Sequence, residues 1–248
     1  MSTPIQISSA TRHAPTRCAL ALSRAGLVAL RADGPEKIVV IHVANGAGKS
    51  HMAAQLVGTT GATFVRLHAI DTPRTVAAKL CMELLLEPGR TTSESFQRIL
   101  AELRARPRLI VIDEFNFIAG TRAVHMLRDI HDECDARFCV LGDETLPKRL
   151  KSREDNAFAS RVILWQKTID VSIEDAAMLA KVYTPQVTVS DDLLELLRRE
   201  HDGNCRAIVN ALRRLADLAR RDCLERVDAK TWRERHGQAS ESSLRVVR

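Results

Sequence analysis

Residues 38–50 read Ile38-Val39-Val40-Ile41-His42-Val43-Ala44-Asn45-Gly46-Ala47-Gly48-Lys49-Ser50. Ile38 to Ile41 are all β-branched and apolar, the pattern of a short strand buried on both faces. The loop that follows carries Gly46 and Gly48, where glycine permits a tight backbone path. A helix is expected from Lys49 to about Val57. Successive backbone N–H groups at such a helix start form a cradle for an anion. In that geometry Lys49 reaches the β and γ phosphates of a nucleotide and Ser50 holds Mg2+. Asn45, Gly46, Ala47, Gly48 and His51 complete the expected contacts to ATP. Loops of this kind usually open on a further glycine, and Val43 stands there instead. The bland alternative is a chance glycine-rich turn, which the strand-loop-helix context argues against.

Outward from this stretch, strand and helix alternate. Strands are expected at 63–67, 109–112 and 137–141, the last ending in Gly142. Helices are expected at 72–86, with Asp71 or Thr72 as cap and Pro73 in the first turn, and at 92–105 and 123–132. Alternation of this kind implies an α/β fold with a parallel sheet covered by helices on both faces. Beyond about residue 168 strand signals become rare, and 172–182, 191–200, 205–219 and 229–235 read as helices. The expected organisation is a leader over 1–35 with a short helix, a nucleotide-binding α/β domain over 36–168, a helical lid over 169–237 and a polar tail over 238–248.

A second motif lies at Leu109-Ile110-Val111-Ile112-Asp113-Glu114, an apolar strand ending in two carboxylates. At the C-terminal edge of a parallel sheet Asp113 can orient Mg2+ or its water. Glu114 is placed to polarise an attacking water, which favours ATP hydrolysis over transfer to another acceptor. Asp143, after Leu141-Gly142, is either a polar residue between the phosphates and Glu114 or a loop cap. Arg161 is the candidate finger that would reach a neighbouring subunit's nucleotide, with Arg153 as runner-up. Arg206, opening a lid helix, is the candidate sensor of the γ phosphate. For each arginine the alternative is a surface salt bridge.

The chain has 248 residues, 45% of them apolar, enough for a substantial core, and a formal charge of +6. Excess positive charge favours a polyanionic partner. Aromatics are only 4%, too few for a platform that stacks many bases. Three basic groups are candidates for DNA contact: Lys148, Arg149 and Lys151; Arg213, Arg214, Arg220 and Arg221; and the loop-associated Arg74, Arg98 and Arg122. Neither a helix-turn-helix nor a zinc finger stands out, so weakly sequence-specific phosphate contacts to duplex DNA are expected. The alternative is ordinary solvated surface. None of the six cysteines forms a C-x-x-C pair, and no apolar stretch reaches membrane-spanning length. A reduced cytoplasm, with no membrane partner, is the expected setting.

From Ile38 to about Arg235 the sequence resembles the AAA+ ATPases of DNA transposition, above all the phage Mu B-type target-selection proteins and their Tn7-like and Tn402-like relatives. The residues that carry the likeness are the loop at 44–50, Ile112-Asp113-Glu114, the helix from Val124 to His131, Val140-Leu141-Gly142, Phe158 to Arg161, and Gly203-Asn204-Cys205-Arg206. The resemblance implies a P-loop AAA+ ATPase with a small C-terminal helical lid. It also implies a homo-oligomer, as filament or ring, assembled with ATP on duplex DNA, and a transposase partner that stimulates hydrolysis. The leader is short for the N-terminal DNA-binding domain of the Mu protein. Competing readings are a helicase loader acting on single-stranded DNA, a secretion-associated ATPase, and a nucleotide-gated scaffold with little hydrolysis.

Overall fold

The computed structural model describes residues 17–151, 155–167 and 169–235. By internal contacts the chain forms two compact units. Of the described residues, the first takes 19–45, 49–151, 155–167 and 169, and the second takes 170–235 together with 17–18 and 46–48.

The first unit is built on a five-stranded sheet, all parallel, in the order β2-β3-β4-β1-β5. Its strands are β1 (Ile38–His42), β2 (Thr63–Arg66), β3 (Leu109–Asp113), β4 (Arg137–Gly142) and β5 (Val162–Lys167). The three inner strands β1, β3 and β4 are buried almost without interruption, which is why their sequences are continuous apolar runs rather than alternating ones. Helices α1 (Arg17–Arg31), α2 (Lys49–Thr60), α3 (Pro73–Glu83), α4 (Thr92–Ala105) and α5 (Arg122–Cys134) accompany the sheet, followed by the short α6 (Leu146–Leu150) and α7 (Asn156–Ala159). Their starts follow from side-chain caps. Thr72 accepts from the Thr75 amide, Thr91 from Glu94 and Thr121 from Ala123. Helix α3 stops at Glu83, short of the expected Leu86, because Leu85 turns left-handed at φ 61°. Strand β5 was not expected. It is an edge strand with Ile163 exposed, so it lacks the buried run that marks β1, β3 and β4.

The second unit packs α8 (Ile173–Tyr183), α9 (Asp191–Glu200) and α10 (Cys205–Arg221) around Leu179, Leu193, Leu197, Ile208, Leu212 and Leu215. A two-stranded parallel ribbon joins β6 (Thr188–Val189) to β7 (Arg226–Val227), and residues 229–235 are helical, with Trp232 in the same core. Ser172 and Asp175 form a capping box at α8, and Asn204 caps α10 through the Ala207 amide. Among the described residues no helix is long and apolar enough to cross a membrane. The beginning of the expected leader, the candidate Arg153 and the expected polar tail lie outside the described residues.

Candidate functional site

The sheet order decides what can meet. Strand β4 lies between β1, which runs into the glycine loop, and β3, which ends in the acid pair. Gly46 and Gly48 both take positive φ, 91° and 95°, in the left-handed region that a side chain disfavours. Lys49 opens α2, and its side chain turns back over the loop. The Nζ donates to the carbonyls of Val43 at 3.2 Å and Gly142 at 3.4 Å, and to Asn45 Oδ1 at 3.3 Å. The Val43 amide also donates to Gly142 O, at 3.1 Å, so the loop is tied to the end of β4 from both sides. Val43 is fully buried, which gives the departure from glycine a packing role. Ser50 is exposed and His51 half-buried in the first turn of α2.

Asp113 ends β3 and is 2% exposed. Burial, then the neighbouring Glu114 charge, pushes its carboxyl above the usual aspartate range. The Glu114 amide, Arg66 and Lys49 pull the other way without cancelling this. Glu114 takes φ 59°, unusual for a residue with a side chain, and its carbonyl opens a 3-10 turn over Phe115–Phe117. Arg66, the last residue of the edge strand β2, pairs in register with Asp113. Its guanidinium lies 3.9 Å from the Asp113 carboxylate and 3.8 Å from that of Glu114. Sequence reading missed Arg66, because a lone arginine ending a strand carries no motif; only the β2–β3 pairing could have found it.

Asp143 sits where β4 leaves the sheet. Its Oδ1 accepts from the Thr145 amide at 2.8 Å, the Thr145 hydroxyl at 2.6 Å and Asn116 Nδ2 at 2.5 Å. Burial opposes its ionisation, and the hydrogen bonds from Thr145 and Asn116 with the Arg149 charge outweigh it, holding the carboxyl below the usual range. In this geometry the Asp143 carboxylate caps the turn that begins at Thr145. Asn116, a second residue the sequence did not single out, is buried and uses both ends of its amide, since its Oδ1 accepts the Asp143 N–H at 2.7 Å.

The structure engages several of the other candidates locally. Arg161 forms a two-pronged pair with Asp132, at 2.5 and 2.6 Å, and also donates to the Ala157 carbonyl. Reaching a neighbouring subunit would require that pair to open. Arg206 is exposed in the first turn of α10 in the second unit. Arg74 and Arg98 donate to the carbonyls of Arg90 and Glu87, while Arg122 is exposed at the start of α5. Arg149 donates to the Asn116 carbonyl at 2.9 Å, Lys151 lies over the Trp165 ring at 4.9 Å, and Lys148 is exposed. In the second unit Arg213 lies over Tyr183, Arg220 and Arg221 pair with Asp217 and Asp222, and Arg214 is exposed.

A parallel sheet with a glycine loop and a carboxylate pair at the ends of β1 and β3 defines the class: the chain has the P-loop AAA+ ATPase fold. A family model described as an AAA domain matches residues 32–150, which implies an ATP site there. Among solved structures the chain is similar to the Aeropyrum pernix ORC1 protein in complex with DNA, at 16% identity and a TM-score of 0.62, over 91% of this chain. It is similar to the Aeropyrum pernix ORC2 protein in ADPNP-ADP complexes, at 15% identity and a TM-score of 0.66, over 87% of this chain. A third similar structure is Cdc6p from Pyrobaculum aerophilum, at 12% identity and a TM-score of 0.64, over 88% of this chain. The chain spans 66% of the length of each of the three. No curated protein matches the sequence.

These matches correct the transposition reading. The resemblance to phage Mu B-type target selectors, the transposase partner, and the assignment to recombination and mobile elements give way to likeness with ORC1, ORC2 and Cdc6p. The physical reason lies in the residues that carried the resemblance. The glycine loop and the Asp113-Glu114 ending are requirements of nucleotide chemistry shared across the superfamily, so they establish the fold and do not separate its branches.

Proposed function

We propose that the chain binds and hydrolyses ATP to control its hold on DNA, as a protein of the replication-initiator and helicase-loading kind. The observation that carries this is the convergence of two distant motifs on one sheet edge. Lys49 rests on the β4 end, and its charge reaches the buried Asp113. The donor set fits a nucleotide with Mg2+. Two neighbouring carboxylates, one of them buried, suit a hard cation that keeps water and phosphate ligands. Bound there, Mg2+ would offset phosphate charge. Lys49 and the loop amides of residues 45–50 would hold the phosphates, with Ser50 and Asp113 on the cation side and Glu114 polarising water. DNA binding is supported by the +6 charge and by the ORC1 match, a protein seen in complex with DNA. ATP-linked self-assembly belongs to the same proposal.

The test is ATP turnover and DNA binding measured with ATP, ADP and no nucleotide. Lys49→Ala should abolish nucleotide-dependent DNA binding. Glu114→Gln should lower turnover about 100-fold or more while keeping ATP binding. DNA affinity indifferent to nucleotide and to Lys49 would reject the proposal. Preference for duplex would place the protein with initiators, and preference for single strands with loaders. One observation favours a second reading, a nucleotide-gated scaffold: Arg66 already faces the Glu114 carboxylate at 3.8 Å. A wild type that binds ATP and hardly hydrolyses it would select that reading.

A further inference from the structure

The turn after the acid pair is held from three sides by contacts that no motif accounts for. Glu114 keeps a left-handed backbone although it carries a side chain, and such conformations persist where the surroundings over-determine them. Phe115 is fully buried and stacks on Phe158 with ring centroids 5.4 Å apart. Asn116 reaches across to the end of β4, donating to Asp143 Oδ1 and to Thr145 Oγ1, at 3.2 Å, and accepting from the Asp143 amide. Its carbonyl is capped by Arg149 from α6. Gly142 makes the approach possible, because a Cβ there would stand 2.3 Å from Asn116 Oδ1. The same Gly142 gives its carbonyl to Lys49 and to the Val43 amide.

We infer that Asn116 is a positioning residue for ATP hydrolysis, stapling the turn that aims Glu114 to the strand end on which Lys49 and the phosphate loop rest. This rests on the ATPase reading above. The two halves of the site come from β1 and β3, which are not neighbours, so their relative placement is transmitted through the end of β4. Backbone pairing of β3 with β4 runs from Leu109 to Ile112 and stops before the acid pair. Beyond that point Asn116 is a side-chain link between the two strand ends. Its loss leaves Lys49 and the loop in place while Glu114 can relax from its left-handed turn. The defect therefore falls on turnover rather than on nucleotide binding.

The experiment compares wild type, Lys49→Ala, Asn116→Ala and Asn116→Asp in steady-state ATP hydrolysis, in binding of a fluorescent ATP analogue and in thermal melting. Asn116→Ala should lower kcat about 10- to 100-fold, as displaced catalytic groups do, with analogue affinity near that of the wild type. Asn116→Asp is nearly isosteric and keeps the test open if the alanine variant does not fold. It sets a carboxylate against Asp143 and within reach of Arg149, so kcat should be low at neutral pH. It should recover relative to wild type on acidification, as one proton shared by the two acids restores a donor. Asn116 variants with wild-type kcat and pH profile, or a kcat loss matched by an equal loss of analogue affinity, would overturn the inference while leaving the ATPase reading intact. A wild type no faster than Lys49→Ala removes both.

Discussion

Asp113 and Asp143 end neighbouring strands, yet their carboxyls are driven in opposite directions. Burial and the Glu114 charge raise Asp113 above its ordinary range, so the folded chain binds that proton more tightly than the unfolded chain. The stability contributed by protonated Asp113 is present below the ordinary aspartate range and is lost as pH rises through the shifted value. At neutral pH the ionised side chain is thus a liability to the fold. Asp113→Asn should melt higher without nucleotide or Mg2+, by about 2–4 °C if the relief is ~1 kcal/mol in a domain of this size. The gain should shrink in acid, and ATP turnover should be lost. A variant that melts at or below the wild type at neutral pH would contradict this account. Asp143 behaves in reverse: its lowered carboxyl contributes stability above the ordinary range that disappears as pH falls. Neither direction could be read from sequence. Asp113 is legible as a strand-ending acid, but the residues that set its environment, Arg66 across the β2–β3 pair and Lys49 from the far side of β4, arrive only through the sheet order. Asn116 was hidden for the same reason, since its partners lie 27 to 33 residues away.

Elements buried on both faces announce themselves, and those at an edge do not. The runs that became β1, β3 and β4 are legible because a central parallel strand must be apolar at every position. In β5 the sequence Val162-Ile163-Leu164-Trp165-Gln166-Lys167 mixes exposed and half-buried positions, and its role as partner to β1 depends on register rather than composition. Helix ends were readable where Thr or Ser caps precede them, whereas the short α6 and α7 follow from contacts such as Phe158 against Phe115. Packing between elements supplies a further test. Gly26 in α1 leaves room for only a hydrogen, because a Cβ would stand 2.8 Å from Leu56 Cδ2 and 3.2 Å from Cys139 Sγ. Alanine gains ~1 kcal/mol over glycine in helix propensity, but overpacking a well-filled interior costs about 1–3 kcal/mol. Leu56 and Cys139 are both fully buried, so neither can swing into open space, and the packing cost should prevail. Gly26→Ala is expected to lower the urea midpoint with an unchanged slope. A higher midpoint would show that α1 packs less tightly than these distances state.

For the molecule as a whole, the question is which part of the +6 charge is available to a polyanion. Much of the basic surface is already committed. Arg220 and Arg221 each face an aspartate, at 3.4 and 2.9 Å, so they add little net charge to their face of α10. Lys148 is different: it is exposed in the last turn of α6, next to Arg149 and Lys151. If the chain binds DNA as proposed, its affinity should fall linearly with salt on logarithmic axes, since each neutralised phosphate releases condensed counterions. If α6 lies on the DNA face, Lys148→Ala should weaken binding and reduce the salt slope by about one. Replacing Arg220 and Arg221 by alanine should leave the slope unchanged, because arginines held by Asp217 and Asp222 neutralise no phosphate. Melting temperature serves as the control, as an exposed lysine off the core should not alter it. The opposite pattern, a slope reduced by the α10 substitutions and indifferent to Lys148, would move the DNA face to the second unit and show that those ion pairs open on binding. Adding Arg214→Ala then decides whether that face is α10 itself. Arg214 is exposed on the same helix, and a further drop in slope of about one would be expected if it touches phosphate.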